Sequence, residues 1–254
     1  MSNTDDAWEK FGKTDPYYGV LSHERFRLST FAEDSRADFF LSGEEHVNLL
    51  FQTIREHVDP DFSPQLALDF GCGVGRIAIP LARRVAKIIA ADVSEAMLSE
   101  AAKNCAEQNV ANVTLIKSND TLDGMPSDIE FIHSFIVFQH IPVSRGLSIL
   151  KKMLLLLASD GIGALHFTFA RRASNFRIFL QRMLDSIPFA YGLYNLVLGR
   201  RFSYPHMEMN CYDTSIILDA LYSNGCRDIH VRFSDHNGFI GAMFYFKKRQ
   251  LVSL

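Results

Sequence analysis

The segment Leu66-Ala67-Leu68-Asp69-Phe70-Gly71-Cys72-Gly73-Val74-Gly75 constrains this chain more than any other. Its first half is a continuous apolar run, as expected of a strand buried on both faces. Its second half is a glycine turn, and Arg76 to Val85 then reads as a helix. Glycines between a strand and a helix let the backbone turn tightly and come close to a ligand. Asp69 places a carboxylate just before that turn. Beside a pyrophosphate this charge is repulsive; beside an ammonium or sulfonium it is attractive. A nicotinamide or flavin turn has the spacing G-x-G-x-x-G. Here the third glycine falls one residue early and Arg76 stands in its place. No Lys-Ser or Lys-Thr follows, so the turn is not a nucleoside triphosphate loop. The pattern points to an adenosyl ligand that carries positive charge and no phosphate.

The flanking pattern supports an α/β sheet. Lys87 to Asp92 is a second buried strand, and Ser94 can cap a helix bearing Met97, Ala101 and Cys105 on one face. Val113 to Ile116 and Asp128 to Phe135 read as the third and fourth strands. A helix opens at Ser144 and carries Leu147, Leu150, Met153, Leu154 and Leu157; Asp160-Gly161 ends it, and Ile162 to Phe169 is the fifth strand. Apolar strands alternating with helices imply a parallel sheet covered on both faces. Near the end, Ile229 to Phe233 and Gly241 to Lys247 are joined by Asp235-His236-Asn237-Gly238, a hairpin signal that adds an antiparallel strand. Asp92 closes the second strand at the distance from the glycines where an acidic residue meets ribose hydroxyls. An ionised carboxylate only accepts hydrogen bonds, which suits two vicinal OH donors.

Two regions stand outside this alternation. Before the first strand, Ser42-Gly43-Glu44-Glu45 reads as a capping box that opens a helix with Val47, Leu50, Phe51, Ile54 and Val58 on one face, stopped at Asp59-Pro60. After the fifth strand, Phe176, Phe179, Leu180, Met183 and Leu184 recur at helical spacing, and a second apolar helix runs from Ser186 to Gly199. Open α/β sheets bind ligands at the carboxyl ends of their strands, so this insertion is expected above the site.

Together these segments resemble class I S-adenosylmethionine-dependent methyltransferases of the small-molecule branch. Leu68 to Gly75 is similar to the family's glycine motif, Asp92-Val93-Ser94-Glu95-Ala96-Met97-Leu98 to the segment after its second strand, and Phe131 to Pro142 to its fourth motif. The resemblance is close over residues 65–170 and looser in the C-terminal hairpin. It implies a Rossmann-like, doubly wound, mostly parallel seven-stranded sheet with one antiparallel strand. It also implies a helical cap over 1–64, a cofactor-binding core over 65–170, a helical lid over 171–212, and a C-terminal helix and hairpin over 213–254. By this resemblance Asp69, Gly71 and Gly73 lie at the methionine part of S-adenosylmethionine, and Cys72, Gly75 and Met97 also belong to the cofactor site. Asp92 and Val93 serve the ribose and adenine, and Asn119, Asp120 and Thr121 the adenine edge. Ser134 and Phe135 lie under the methionine. Arg76 fits either the cofactor carboxylate or a solvated helix surface.

Methyl transfer from a sulfonium is an in-line displacement, so the protein mainly aligns the reactants. An oxygen nucleophile must also lose a proton, and histidine is the usual base. His140, after the fourth strand, is the first candidate and His206 the second. His133 and His166 lie within strands and read as structural, and His236 in the hairpin turn reads as surface. Tyr17, Tyr18 and Tyr204 are candidates to contact the acceptor. Between 171 and 201 stand six arginines (Arg171, Arg172, Arg177, Arg182, Arg200, Arg201) against Asp185. That fits a solvated lid, an anionic or amphipathic acceptor, or transient contact with a membrane surface.

Composition narrows the function classes. A net charge of -3 over 254 residues leaves no basic field for nucleic acid. The four cysteines (Cys72, Cys105, Cys211, Cys226) form no CxxC pair, and no HExxH occurs, so neither a metal nor a disulfide framework is expected. The N-terminus has no apolar h-region, and the Ser186 to Gly199 stretch is shorter than the roughly 20 residues of a membrane span. A cytoplasmic methyltransferase acting on a small molecule, with an oxygen acceptor preferred, is the leading expectation. A non-catalytic module that binds S-adenosylmethionine or S-adenosylhomocysteine is the alternative.

Overall fold

The computed structural model describes residues 4–172, 190–197, 201–202 and 204–249. Helices α1 (Thr4–Thr14), α2 (Pro16–Val20) and α3 (Glu33–His57) precede a sheet built from β1 (Leu66–Phe70), β2 (Lys87–Asp92), β3 (Val113–Lys117), β4 (Ile129–Ser134), β5 (Leu157–Arg171), β6 (Cys226–His236) and β7 (Phe239–Lys248). Between the strands run α4 (Ala78–Ala82), α5 (Glu95–Glu107), α6 (Val143–Leu156), α7 (Ala190–Val197) and α8 (Thr214–Ser223). The strand order is β3-β2-β1-β4-β5-β7-β6. The first five strands pair in parallel, and β7 runs antiparallel between β5 and β6. Asn237 and Gly238, both at positive φ (55° and 84°), make the tight turn between β6 and β7. The mostly parallel sheet with an antiparallel end is thus as the sequence implies.

Both faces of the sheet are covered, which is why its strands are apolar throughout. On one face Ile149, Leu150 and Met153 of α6 and Ile217 and Leu221 of α8 pack with Leu68, Ile132, Leu165 and Phe244. On the other, Val47, Leu50 and Ile54 of α3 and Leu81 of α4 pack with Ala67, Ile88 and Phe131. Phe11, Tyr17, Phe26 and Phe39 form a third cluster with Val74 and Met97, joining the N-terminal helices to the glycine turn.

Three boundaries depart from the sequence reading. Ser42 does not start a helix; it lies inside α3, where its hydroxyl donates to the Phe39 carbonyl. Gly43 beside it is tolerated because α3 crosses the glycine turn there, and a Cβ would stand 2.0 Å from the Arg76 carbonyl oxygen. The helix read over 76–85 contracts to α4, with Gly75 and Cys72 closing a turn ahead of it. Asp160-Gly161 is no terminator but an irregularity within β5: Asp160 has φ 61°, and the pairing with β4 jumps from Ile129↔Leu157 to Phe131↔Ile162. The helix read over Phe176 to Leu184 lies outside the described residues, as does most of the arginine-rich stretch; α7 falls within the second helix read there.

Tyr212 pins α6 to the sheet. It is 1% exposed, packs beside Phe138 and Phe167, and donates to the Ile141 carbonyl at 2.8 Å. A Cβ on Gly146 of α6 would stand 1.9 Å from that phenolic oxygen. Gly146→Ala should therefore lose about 1–3 kcal/mol in urea unfolding through overpacking, despite the roughly 1 kcal/mol of helix propensity it gains. A more stable variant would contradict this packing.

Candidate functional site

Strand β1 delivers Asp69 and Phe70 to the carboxyl edge of the sheet and releases the chain into the glycine turn. Gly71 and Cys72 donate their N–H groups to the Ala91 carbonyl at 2.7 and 3.0 Å, which clips the turn to β2. Gly71 and Gly73 take φ 75° and 54°, a region costly for residues with a Cβ. Cβ atoms there would stand 2.3 Å from a Val137 methyl and 2.6 Å from a Val20 methyl, so only bare backbone faces the neighbouring cavity. The Asp92 carboxylate binds this turn to the next helix: Oδ2 accepts from the Gly73 N–H and Oδ1 from the Ser94 N–H, both at 2.9 Å. Burial pushes the Asp92 pKa up to about 6, against the lowering effect of these N–H donors. Burial also raises the Cys72 thiol, which is therefore unreactive.

A cavity of about 430 Å³ opens above these residues. Asp69, Gly71, Cys72, Gly73, Asp92, Val93, Met97, Asn119, Asp120 and Phe135 all line it. Gly75, Thr121 and Ser134 do not. Gly75 instead shapes the turn at φ 89°, the Thr121 hydroxyl closes its own loop onto Asn119 and Asp123, and the Ser134 hydroxyl donates to the Phe70 carbonyl at 2.9 Å. The lining fits an adenosyl sulfonium. Asp69 Oδ2 is buried without a hydrogen-bond partner among the described residues, an acceptor suited to an ammonium. The oxygens of Asp92 keep unused lone pairs for ribose hydroxyls beyond their backbone donors.

The N-terminal helices close the end of the cavity beside Val93, Asn119 and Asp120. The Glu9 carboxylate of α1 accepts from the Ser94 hydroxyl at 2.8 Å, and Arg145 bridges Asp5 of α1 to Asp120. Buried Asn104 of α5 donates to the Val74 carbonyl and accepts from the Tyr17 hydroxyl and from Arg36. Tyr17 is thereby turned into the core, away from the cavity, and its phenol is pushed up to about 12 chiefly by burial. Tyr18 stacks under the Arg27 guanidinium at 3.7 Å, and the Tyr204 hydroxyl accepts from Arg27 at 3.2 Å. None of these three tyrosines lines the cavity, because the aromatic cluster beneath the cap and Arg27 claim them. Trp8, Val20, Leu21 and Ser22 supply the wall instead.

His140 lines the cavity. Its Nδ1–H donates to the Glu208 carbonyl at 2.7 Å, which leaves Nε2 unprotonated, 3.1 Å from the Gln139 amide. Burial lowers its pKa to about 4. His206 is absent from the lining, whereas Met207 and Met209 are present. His236, read from the sequence as surface, lines the cavity because the hairpin turn folds back over β4 and β5. His133 is the other surprise. Its Nδ1–H donates to Asp69 Oδ1 at 2.7 Å, and its Nε2 stands 3.0 Å from His46 Nε2. Of this group, Asp69 alone was legible as functional; the contacts that join it to α3, β4 and the hairpin are long-range and carry no local signal. Among the described residues no group of three or more His, Cys, Asp or Glu is placed to hold a metal ion, and no helix is long and apolar enough to cross a membrane.

Residues 67–161 match the family described as a methyltransferase domain. Over that stretch the chain is similar to a methyltransferase domain. Its fold is similar to that of magnesium protoporphyrin IX methyltransferase from Synechocystis PCC 6803, solved with S-adenosylhomocysteine, with a TM-score of 0.65 and 16% identity over 98% of this chain and 100% of that one. It is also similar to Haemonchus contortus phosphoethanolamine N-methyltransferase 2, with a TM-score of 0.62 and 13% identity over 98% of this chain and 61% of that one. A 98-residue stretch is 30% identical to the 23S rRNA (uracil(1939)-C(5))-methyltransferase RlmD of Burkholderia thailandensis. That match takes in 39% of this chain and 21% of the relative, so the chain spans about a fifth of that relative's length.

Asp92→Ala should weaken S-adenosylhomocysteine binding by about 1.5–3 kcal/mol, the value of a charge-assisted hydrogen bond. Donation by ribose hydroxyls favours the ionised carboxylate, so wild-type affinity should fall as pH drops through about 6. Calorimetry of both proteins across that range checks this; equal affinities would remove Asp92 from the nucleoside.

Proposed function

We propose that the protein transfers a methyl group from S-adenosylmethionine to an oxygen atom of a small-molecule acceptor. The observation that carries the reading is the lining of one cavity by the unpartnered Asp69 Oδ2, the bare glycine turn and the Asp92 carboxylate. Asp69, Gly71, Gly73 and Phe135 would hold the amino-acid part of the cofactor, Asp92 the ribose, and Val93, Asn119 and Asp120 the adenine. When bound, the cofactor supplies a methyl group already activated on sulfur. The chain supplies alignment and exclusion of water, with α1 and Trp8 on one side and the hairpin turn on the other. Enclosure by these elements favours a small acceptor over nucleic acid. The similarity to RNA methyltransferases supports no more than the shared cofactor half, since it spans 98 residues.

His140 is the base in this reading. The Glu208 carbonyl fixes its tautomer and directs the basic Nε2, and an acceptor hydroxyl replaces the Gln139 amide as its partner. A base with a pKa of about 4 stays deprotonated at neutral pH but pulls weakly, so its contribution is modest.

Release of S-adenosylhomocysteine, followed over a panel of small alcohols, phenols, amines and carboxylic acids, tests the function. Acceptor-dependent release with an oxygen acceptor supports it. Cofactor binding with no release for any class supports the non-catalytic module instead. With a productive acceptor, His140→Ala should lower kcat about 10²-fold. The wild-type kcat should show no ionisation of a histidine near pH 6.5, because the His140 pKa lies near 4. A limb at 6.5, or an unimpaired variant, would place the base elsewhere.

A further inference from the structure

Five buried side-chain polar atoms lack a hydrogen-bond partner among the described residues, and three of them belong to residues that line one end of the cavity: Asp69 Oδ2, Arg76 Nε and His236 Nε2; a fourth, His166 Nδ1, lies behind them on a ring 5.6 Å from that of His236. Sheet order separates this end from the nucleoside end. Asp92 ends β2 and Asn119 follows β3 on one side of β1, whereas His133, His166 and His236 belong to β4, β5 and the end of β6 on the other.

The charge balance of this end is unusual. Arg76 is 7% exposed and forms no ion pair among the described residues; its Nη1 donates to the Ser42 hydroxyl at 3.4 Å. The carboxylate nearest to it in charge terms, Asp69, is already engaged by His133. Around the Phe135 ring stand His46, His166 and His236, with centroids at 4.3, 5.2 and 5.8 Å. Burial lowers the pKa values of all three, helped by repulsion from neighbouring imidazoles at His46 and His166 and opposed by Asp235 at His236, so at neutral pH these rings are neutral and the His236 ring, which lines the cavity, can present an N–H group. A guanidinium held dry without a counter-ion is costly unless a ligand completes it. A cationic acceptor group would meet Arg76 as like charge; an anion would satisfy Arg76 Nε–H and take an N–H donor from His236 Nε2.

We propose that the end of the cavity walled by Arg76, His133, Phe135 and His236 is an acceptor subsite for an anionic group, a carboxylate or a phosphate. The proposal rests on the methyltransferase reading, because it places this anion on the acceptor and beside the methionine end of the cofactor site. The apolar body of the acceptor then lies against Met207, Met209 and Phe239, which line the same cavity.

The test uses the full chain saturated with S-adenosylhomocysteine, titrated with sodium acetate and with inorganic phosphate against sodium chloride, and read by NMR of labelled histidine rings. One of the two anions should shift the His133 and His236 signals saturably with a dissociation constant of about a millimolar, as fits a ligand of four or five heavy atoms. Arg76→Gln should weaken that binding about tenfold or more, the loss expected of a charged hydrogen bond. His236→Gln, on the hairpin turn, provides the same reading with less risk to folding and should weaken it measurably. Chloride should produce no saturable shift.

Absence of a saturable shift with either anion overturns the proposal. So does a shift seen with 5′-methylthioadenosine bound but abolished by S-adenosylhomocysteine, because the anion would then occupy the seat of the cofactor's own carboxylate. Calorimetry of S-adenosylhomocysteine with the wild type is read separately: no cofactor binding defeats the methyltransferase reading, whereas cofactor binding with silent histidines defeats only the subsite.

Discussion

Two backbone N–H groups, from Gly73 and Ser94, converge on the buried carboxylate of Asp92. This convergence joins the glycine turn after β1 to the start of α5, so the two halves of the proposed nucleoside site are positioned by one side chain. The cap is built onto the same place. Ser94 also accepts from the Met97 N–H and donates to Glu9 of α1, while Asn104 of α5 ties Val74 to Tyr17 and Arg36. Buried carboxylates are expensive unless hydrogen-bonded. Here that requirement makes the turn, α5 and the N-terminal helices depend on one another, and shape in the nucleoside half follows from it.

The other half of the cavity has the opposite electrostatic character. Asp69 is shared between His133 on one oxygen and the open cavity on the other. Beyond it the groups are imidazoles and one guanidinium. The cavity thus runs from acceptors suited to ribose hydroxyls and an ammonium toward donors suited to an anion. A cationic donor molecule and an anionic acceptor would be sorted to opposite ends by this gradient before any contact of shape is made. The methyl group would travel between them, in a space walled by Trp8, Phe135, Val137 and the methionines of the 207–209 segment.

The cavity end lined by Asp69, the glycine turn and Asp92 was legible in the sequence because its determinants are local. A glycine turn between an apolar strand and a helix, preceded by Asp69 and followed one strand later by Asp92, needs no tertiary information to be read. The alternation of strands and helices likewise predicted the sheet, and Asn237-Gly238 its hairpin. Errors came where packing overrides local pattern. Ser42-Gly43-Glu44-Glu45 has the composition of a helix start, yet Gly43 is there for the crossing of α3 over Arg76. Tyr17 and Tyr204 resemble lid residues, yet their hydroxyls are spent on Asn104 and Arg27. His236 sits in a polar turn, and nothing in its neighbours along the chain announces that the turn closes over Phe135. The histidine group is assembled from α3, β4, β5 and the hairpin, elements far apart in sequence, so periodicity and spacing carry no trace of it.

The most direct measurement of the central claim is a crystal structure of the protein with S-adenosylhomocysteine. The account expects the ribose hydroxyls on Asp92, the adenine between Val93 and Asn119, and the homocysteine amine at Asp69 Oδ2. A nucleoside bound elsewhere, or a complex in which Asp92 touches only Gly73 and Ser94, would contradict it.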